Sequence, residues 1–83
     1  MTFMYHNRGP RFSSVEVCGS FDEWNKRHKM RFDRVTSQWF VSLNLPPGEH
    51  FYKYVVDTAR WVVNEEETQT RDKAGNINNF VNL

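Results

Sequence analysis

Short stretches in which apolar and polar residues alternate recur along this chain at intervals of roughly ten residues. A period of two places successive side chains on opposite faces of a β-strand. No segment keeps a period of 3.6 residues over two turns, so the pattern does not predict an amphipathic helix. Many short strands separated by turn residues are typical of a β-sandwich. The sequence therefore predicts an all-β fold, and its 83 residues are enough for a single domain spanning 1–83.

The strongest of these stretches is 51–57 (FYKYVVD), which follows the Pro-Pro-Gly turn at 46–48. It is rich in aromatic and β-branched residues, as strands are. The face predicted to lie in the core carries Tyr52, Tyr54 and Val56. The opposite face places the ammonium group of Lys53 among apolar side chains. One interpretation is a lysine whose aliphatic stem covers the sheet, and the other is a lysine that contacts a ligand.

Six further segments have strand character. They are 2–6, 15–18, 29–33, 39–45, 61–63 and 77–83. The alternation in 39–45 places Trp39 on the apolar face, so we predict that Trp39 lies in the core. The polar stretch 64–76 is predicted to form a loop, and its three consecutive glutamates, 65–67, are predicted to be solvated. The basic run 26–29 is likewise predicted to be a solvated loop.

Charge and cysteine content exclude several classes of function. The net charge of +1 provides no field that would attract nucleic acid or an anionic membrane, so neither partner is expected. The single cysteine, Cys18, excludes an internal disulfide, which fits a reducing compartment. No apolar run approaches the length of a membrane span, and the first residues do not resemble a signal peptide.

No catalytic or metal-binding pattern is present. The three histidines, His6, His28 and His50, lie on different predicted elements without ligand-like spacing. There is no glycine-rich phosphate loop, and no serine or cysteine lies in a nucleophile motif. The neighbouring carboxylates Asp22 and Glu23 show no sign of the burial that shifts the pKa of a catalytic acid. We therefore expect no enzymatic activity, no metal and no cofactor.

Binding of a carbohydrate is better supported. Trp24 and Trp61 lie at the ends of predicted strands, beside polar loops. A pyranose ring has apolar C–H faces that lie flat on an indole, and hydroxyls that need fixed polar partners. Lys53 offers donors, and Asn78 and Asn79 offer both donors and acceptors. The alternative is that the tryptophans close the ends of the sandwich core and the asparagines form turns.

At these residues the sequence resembles a known family. The matching segments are 15–24 (VEVCGSFDEW), 43–50 (LNLPPGEH), 51–57 (FYKYVVD) and 75–79 (GNINN), in the family's order and spacing. Together they resemble carbohydrate-binding module family 48, the glycogen- and starch-binding domains of the AMP-activated protein kinase β-subunit and of plant glucan phosphatases. The resemblance implies an immunoglobulin-like β-sandwich that binds α-1,4-linked glucans and is not itself an enzyme.

The resemblance also implies roles for individual residues. Trp24 and Trp61 would stack on consecutive glucose rings, and Lys53 and Asn78 would hydrogen-bond to glucose hydroxyls. Asn76 stands where the kinase domain has a threonine that touches sugar. These five residues are the carbohydrate-binding site that we predict.

Two positions depart from the family pattern. The turn 57–61 (DTARW) is one residue longer than the usual Asp-Gly-x-Trp turn and lacks its glycine. Trp61 could therefore be turned away from the site, or Arg60 could act as a donor at its rim. Ala74 stands where the kinase domain has a larger leucine that reaches past the sugar ring, so that contact would be lost.

The predicted function is a non-catalytic α-glucan-binding module that anchors an attached catalytic or regulatory region to the polymer. The expected partners are glycogen, starch or maltooligosaccharides, and kinase-subunit or phosphatase regions covalently linked to this module in a larger protein. The alternative is the same fold used as a protein-interaction or regulatory domain without sugar binding. The expected location is intracellular, in the cytoplasm rather than a plastid.

Overall fold

The computed structural model describes every residue from Met1 to Leu83. The chain forms nine β-strands and one turn of 3₁₀ helix at Ser20–Asp22. The strands are β1 Thr2–His6, β2 Val15–Gly19, β3 His28–Lys29, β4 Arg31–Asp33, β5 Gln38–Ser42, β6 Glu49–Val56, β7 Arg60–Val62, β8 Gln69–Arg71 and β9 Ile77–Asn82. Nothing helical in the chain has the length or hydrophobicity needed to cross a bilayer.

The strands form two antiparallel sheets, so the predicted all-β sandwich is confirmed. One sheet has the order β1-β5-β4, and the other has the order β3-β2-β6-β9-β8, with β7 also pairing with β6. Strand β6 is the hub of the larger sheet. One of its edges pairs with β2, whereas the other pairs with β9 along 49–52 and with β7 along 54–56. Lys53 therefore lies where β9 and β7 diverge.

Aromatic side chains dominate the core between the sheets. Its fully packed members are Phe3, Val15, Val17, Met30, Trp39, Tyr52, Tyr54 and Val56. The core face predicted for the central strand and the burial predicted for Trp39 are both confirmed. Tyr52 meets Phe3 edge to face, with ring centroids 4.8 Å apart, and meets Tyr54 in the same way at 5.9 Å. Such pairs contribute about 0.5–1.5 kcal/mol each beyond their burial, which helps a small core.

The single strand predicted for 29–33 is wrong. The segment is divided between β3, which pairs with β2, and β4, which pairs with β5 in the other sheet. Met30 lies at the crossing, where its N–H donates to the carbonyl of Val15 at 2.9 Å. Alternation cannot reveal this change of sheet, because Met30 and Phe32 both pack on the core in either arrangement.

The polar stretch 64–76 is not wholly a loop, because it contains β8. Gln69, Thr70 and Arg71 carry no apolar alternation, and they form a strand because they pair with β9. The segment before β8 is held by Asn79, which is fully buried. The Asn79 carboxamide accepts from the N–H of Asn64 at 2.7 Å and donates to the Asn64 carbonyl at 2.8 Å. Asn79 is therefore a structural residue on the core side of the sheet.

Glu67 departs from the prediction that all three consecutive glutamates are solvated. Its carboxylate accepts a hydrogen bond from the hydroxyl of Tyr54 at 2.6 Å. Burial raises the pKa of Glu67, and hydrogen bonds from Tyr54, Tyr52 and Asn64 lower it only in part. The glutamate thus satisfies a tyrosine hydroxyl that would otherwise lie in the core without a partner.

Candidate functional site

A concave cavity of about 420 Å³ opens on the face of the larger sheet that points away from the core. It is lined by Trp24, Phe51, Lys53, Trp61, Asp72, Asn76 and Asn78. The structure thus brings all five residues of the sequence-predicted site into one cavity, and it adds Phe51 and Asp72 to them. The segments that contribute these side chains are far apart in the chain, so the sandwich fold assembles the cavity.

Lys53 occupies the floor of this cavity. Its two neighbours on β6, Tyr52 and Tyr54, pair with Asn79 of β9 and Val62 of β7, so the sheet forks beside Lys53. Lys53 takes part in none of the ion pairs of the chain. Its ammonium donors therefore remain available to a ligand.

Trp61 faces the cavity in spite of the longer turn that precedes it. Asp57 and Thr58 both adopt left-handed backbone conformations, with φ angles of 53° and 62°, and the N–H of Ala59 donates to the Val56 carbonyl. This tight turn accommodates the residue by which the turn exceeds the usual family length. Trp61 then pairs with Val55 and points to the same side of the sheet as Lys53.

Arg60 points to the opposite side. It pairs with Val56, whose side chain lies in the core, and its guanidinium carbon lies 5.7 Å from the centre of the Phe12 ring. Arg60 is therefore not a donor at the rim of the cavity, and Trp61, not Arg60, lines the cavity together with Lys53.

Trp24 is held at the opposite wall by a strained loop. Glu23 and Trp24 have φ angles of 58° and 63°, a region that costs a residue with a side chain about 1 kcal/mol. The N–H of Trp24 donates to the carbonyl of Gly19 at 2.8 Å, and the thiol of Cys18 donates to the carbonyl of Trp24 at 3.5 Å. These bonds fix the backbone and leave the indole half exposed.

Gly19 allows this loop to lie close to β6. A Cβ atom at this position would approach the carbonyl oxygen of Phe51 to 2.7 Å, a distance that would force the backbone to move. The loop is closed at its other end by Asp22, whose carboxylate lies 2.7 Å from Nε2 of His28. Only glycine fits where the Trp24 loop leaves the sheet.

Asp72 organises the third wall, which is the turn between β8 and β9. Its Oδ1 accepts from the N–H groups of Ala74 at 3.0 Å and Asn76 at 2.9 Å. The pKa of Asp72 is lowered, first by the N–H of Asn76 and further by the N–H of Ala74 and the amides of Asn76 and Asn78. Oδ1 serves the turn, so the second carboxylate oxygen can accept from a ligand hydroxyl. The sequence indicates a turn here, but not that it faces Lys53.

Asn78 lies on β9 opposite Thr70, with its side chain in the cavity and only 8% of the residue exposed. Asn76 is exposed on the turn above it. Ala74 lies in the same turn but does not line the cavity.

The cavity combines two indoles with groups of mixed polarity. One cation, one anion and two carboxamides can each donate to or accept from a hydroxyl, whereas no cluster of like charge is present to bind an anion. Nor does any group of three or more His, Cys, Asp or Glu side chains form a metal site. The arrangement suits a neutral ring with apolar faces and several hydroxyls.

The sandwich and its aromatic cavity define a carbohydrate-binding module. The family described as "Glycogen recognition site of AMP-activated protein kinase" matches the chain over residues 1–83. The chain belongs to this family, which confirms the resemblance, and the domain is non-catalytic in itself.

The chain is similar to parts of two kinds of protein, a phosphatase and kinase subunits. The chain is 34% identical over 77 residues to "Phosphoglucan phosphatase DSP4, amyloplastic" of Castanea sativa, a match covering 92% of this chain and 20% of that protein. It is 32% identical over 69 residues to the "5'-AMP-activated protein kinase subunit beta-1" of Sus scrofa, covering 83% of this chain and 53% of the relative. The beta-2 subunit of Homo sapiens is 33% identical over 69 residues, or 24% of its length. The chain thus spans about a fifth to a half of these relatives.

Proposed function

We propose that this module binds α-1,4-linked glucans in the cavity between Trp24 and Trp61. The observation that carries the proposal is the convergence of two half-exposed indoles on an unpaired ammonium group, that of Lys53. A third tryptophan, Trp39, is 4% exposed and completes the core, so packing alone does not require the other two.

Each group in the cavity has a distinct role in the proposed complex. The indoles stack on the apolar faces of consecutive glucose rings, as their 38% and 45% exposure permits. Lys53 donates to a hydroxyl oxygen, and the carboxamides of Asn76 and Asn78 each donate and accept. Asp72 accepts from a hydroxyl through the carboxylate oxygen that its turn does not use.

These contacts imply weak binding to each oligosaccharide. A stacked ring or a net hydrogen bond contributes about 1 kcal/mol. After the loss of translational freedom, several such contacts give dissociation constants of roughly millimolar to micromolar. A polymer offers many equivalent sites, so its apparent affinity is higher through multivalency.

The proposal extends to the protein context. We infer that residues 1–83 form one module of a larger protein, where they anchor a linked kinase-subunit or phosphatase region to glycogen or starch. The names of the relatives, a phosphatase and kinase subunits, support this inference. The proposed location is intracellular, in the cytoplasm rather than a plastid, and the free, buried Cys18 fits a reducing compartment of either kind.

The longer turn at 57–59 left open a protein-interaction role without sugar binding. Because that turn keeps Trp61 in the cavity beside Lys53, the structural basis for this alternative is weaker.

Titration with a maltooligosaccharide of about seven glucose units, followed by tryptophan fluorescence and two-dimensional NMR, tests the proposal. We expect saturable shifts at the indoles of Trp24 and Trp61 and at the Lys53, Asp72, Asn76 and Asn78 signals. A β-1,4-linked oligosaccharide of equal length is the matched control, and the sugar is recovered intact if the module is non-catalytic. An absence of shifts at millimolar sugar, with a folded protein, would overturn the proposal.

A further inference from the structure

Trp61 is weakly supported by its own strand. Strand β7 has three residues and pairs with β6, and Trp61 is 45% exposed. The turn that leads into it has two consecutive residues, Asp57 and Thr58, in the left-handed region. An exposed indole in this position loses rotational freedom when a sugar stacks on it, which weakens binding unless another group already holds the ring.

Arg27 contacts Trp61 and the turn together. Its guanidinium carbon lies 5.2 Å from the centre of the Trp61 ring, within the range of a cation–π interaction. Its Nη1 donates to the carbonyl of Thr58 at 3.1 Å. The same Nη1 lies 3.8 Å from Oε1 of Glu16, on β2. Arg27 therefore joins the indole, the strained turn and strand β2 through one planar group.

We propose that Arg27 is a positioning residue for Trp61. Its guanidinium covers one face of the indole and fixes the turn 57–59, so the other face is presented to a glucose ring. The sequence suggested that the run 26–29 is solvated, and Arg27 is the member of that run that contacts the site. This inference rests on the proposed glucan-binding function.

Any test must separate the proposed effect of Arg27 on Trp61 from its effect on the charge of Glu16. It is 9% exposed, and its Oε1 is buried without a hydrogen bond, so Arg27 is the cation that compensates its charge. Truncating Arg27 alone would leave a buried carboxylate without a counterion and would destabilise the fold. Variants are therefore best compared in the Glu16→Gln background, where that charge is absent.

The test compares Glu16→Gln with Glu16→Gln/Arg27→Gln. We expect the double variant to bind the maltooligosaccharide about tenfold more weakly at a temperature where both proteins are folded. Without sugar, its Trp61 indole N–H should show a lower heteronuclear NOE, which reports greater mobility. In the same background, Arg27→Lys should bind more tightly than Arg27→Gln but more weakly than Glu16→Gln alone. An ammonium group cannot stack on the indole and donate to the carbonyl of Thr58 at the same time.

Arg60→Gln is the matched control. Arg60 directly follows the same turn, as the first residue of β7, and also lies over an aromatic ring, that of Phe12, but on the other face of the sheet. Its removal should leave the affinity and the mobility of Trp61 unchanged.

Equal affinity and equal indole mobility in Glu16→Gln and Glu16→Gln/Arg27→Gln would overturn the inference and leave Arg27 as a counterion for Glu16. A lower affinity in Arg60→Gln equal to that in the Arg27 variant would also overturn it. If the unmodified protein binds no glucan, the proposed function fails, while the mobility of Trp61 in the sugar-free protein still reports on Arg27.

Discussion

Asn78 and Asn79 are neighbours on β9 and serve opposite faces of one sheet. The carboxamide of Asn79 is fully buried and bonds to the backbone of Asn64, whereas that of Asn78 lines the cavity beside Lys53. The period of two along a strand separates a residue that holds the fold from one that is placed to hold a ligand.

Asn79→Ala should destabilise the domain, and Asn78→Ala should not. The first change leaves the N–H of Asn64 buried without a partner, at a cost of about 2 kcal/mol. It also removes one of the two hydrogen bonds to the Asn64 carbonyl, which keeps only the N–H of Glu67 at 3.2 Å. In a domain of this size these losses lower the Tm by roughly 10–15 °C. Thermal melts and sugar titrations of both variants test this. Equal melting temperatures for the two would contradict it.

Trp24→Ala and Trp61→Ala should each abolish measurable glucan binding without unfolding the domain. Both indoles are half exposed, so truncation removes a stacking surface and little core packing. Trp39→Ala is the comparison variant, and it should lose about 3–5 kcal/mol because a buried ring is deleted. Circular dichroism melts beside isothermal titration distinguish the outcomes. Unfolding of either cavity variant would assign that tryptophan to the core.

Lys53→Met should weaken glucan binding about tenfold, because it removes a charged donor worth about 1.5 kcal/mol and keeps the aliphatic stem. Stability should change by less than about 0.5 kcal/mol, since no ion pair is lost. Lys26→Met, an exposed lysine outside the cavity, is the control. If both substitutions have equal effects on affinity, the ammonium of Lys53 does not contact the sugar.

Glu67 should give the stability a distinctive pH dependence. Its pKa is raised in the folded state above the ordinary value of 4.5, chiefly by burial. The contribution of Glu67 to the free energy of unfolding is therefore fully present below its pKa in the unfolded chain, and it is lost as pH rises through its pKa in the folded protein. Glu67→Gln can still accept from Tyr54 but does not ionise, so its stability relative to wild type should rise with pH across that window.

Urea unfolding of both proteins at intervals from about pH 4 to pH 8 measures this difference. If the stability of Glu67→Gln relative to wild type stays constant, or falls as pH rises, the carboxylate of Glu67 is not penalised by burial.

Much of the fold could be predicted because local periodicity and burial agree. The alternation of Tyr52, Tyr54 and Val56 matches their positions in the core, and Trp39 is buried as its strand pattern indicates. Strand β8 could not be predicted, since its residues are polar and its only structural determinant is pairing with β9. Long-range pairing leaves no periodic signal in the segment that is paired.

The candidate site could likewise be predicted only in part. The residue types at positions 24, 53, 61, 76 and 78 carry a chemical signal that can be read from the sequence. The contributions of Arg27 and Asp72 carry none, because an arginine in a basic run and an aspartate in a turn are ordinary surface residues. Only their distances, 5.2 Å to the Trp61 ring and 2.9 Å to the N–H of Asn76, reveal what they do.

The fork in the sheet beside Lys53 divides the candidate binding surface between two separate hairpins. Trp61 belongs to the β6–β7 hairpin and Asn78 to the β8–β9 hairpin, so two walls of the cavity are attached to separate turns, 57–59 and 72–76. Lengthening or shortening one turn shifts one wall while the other hairpin keeps its ladder. In the proposed complex, a change in the length of either turn would alter the number of sugar rings that the surface accommodates without repacking the core.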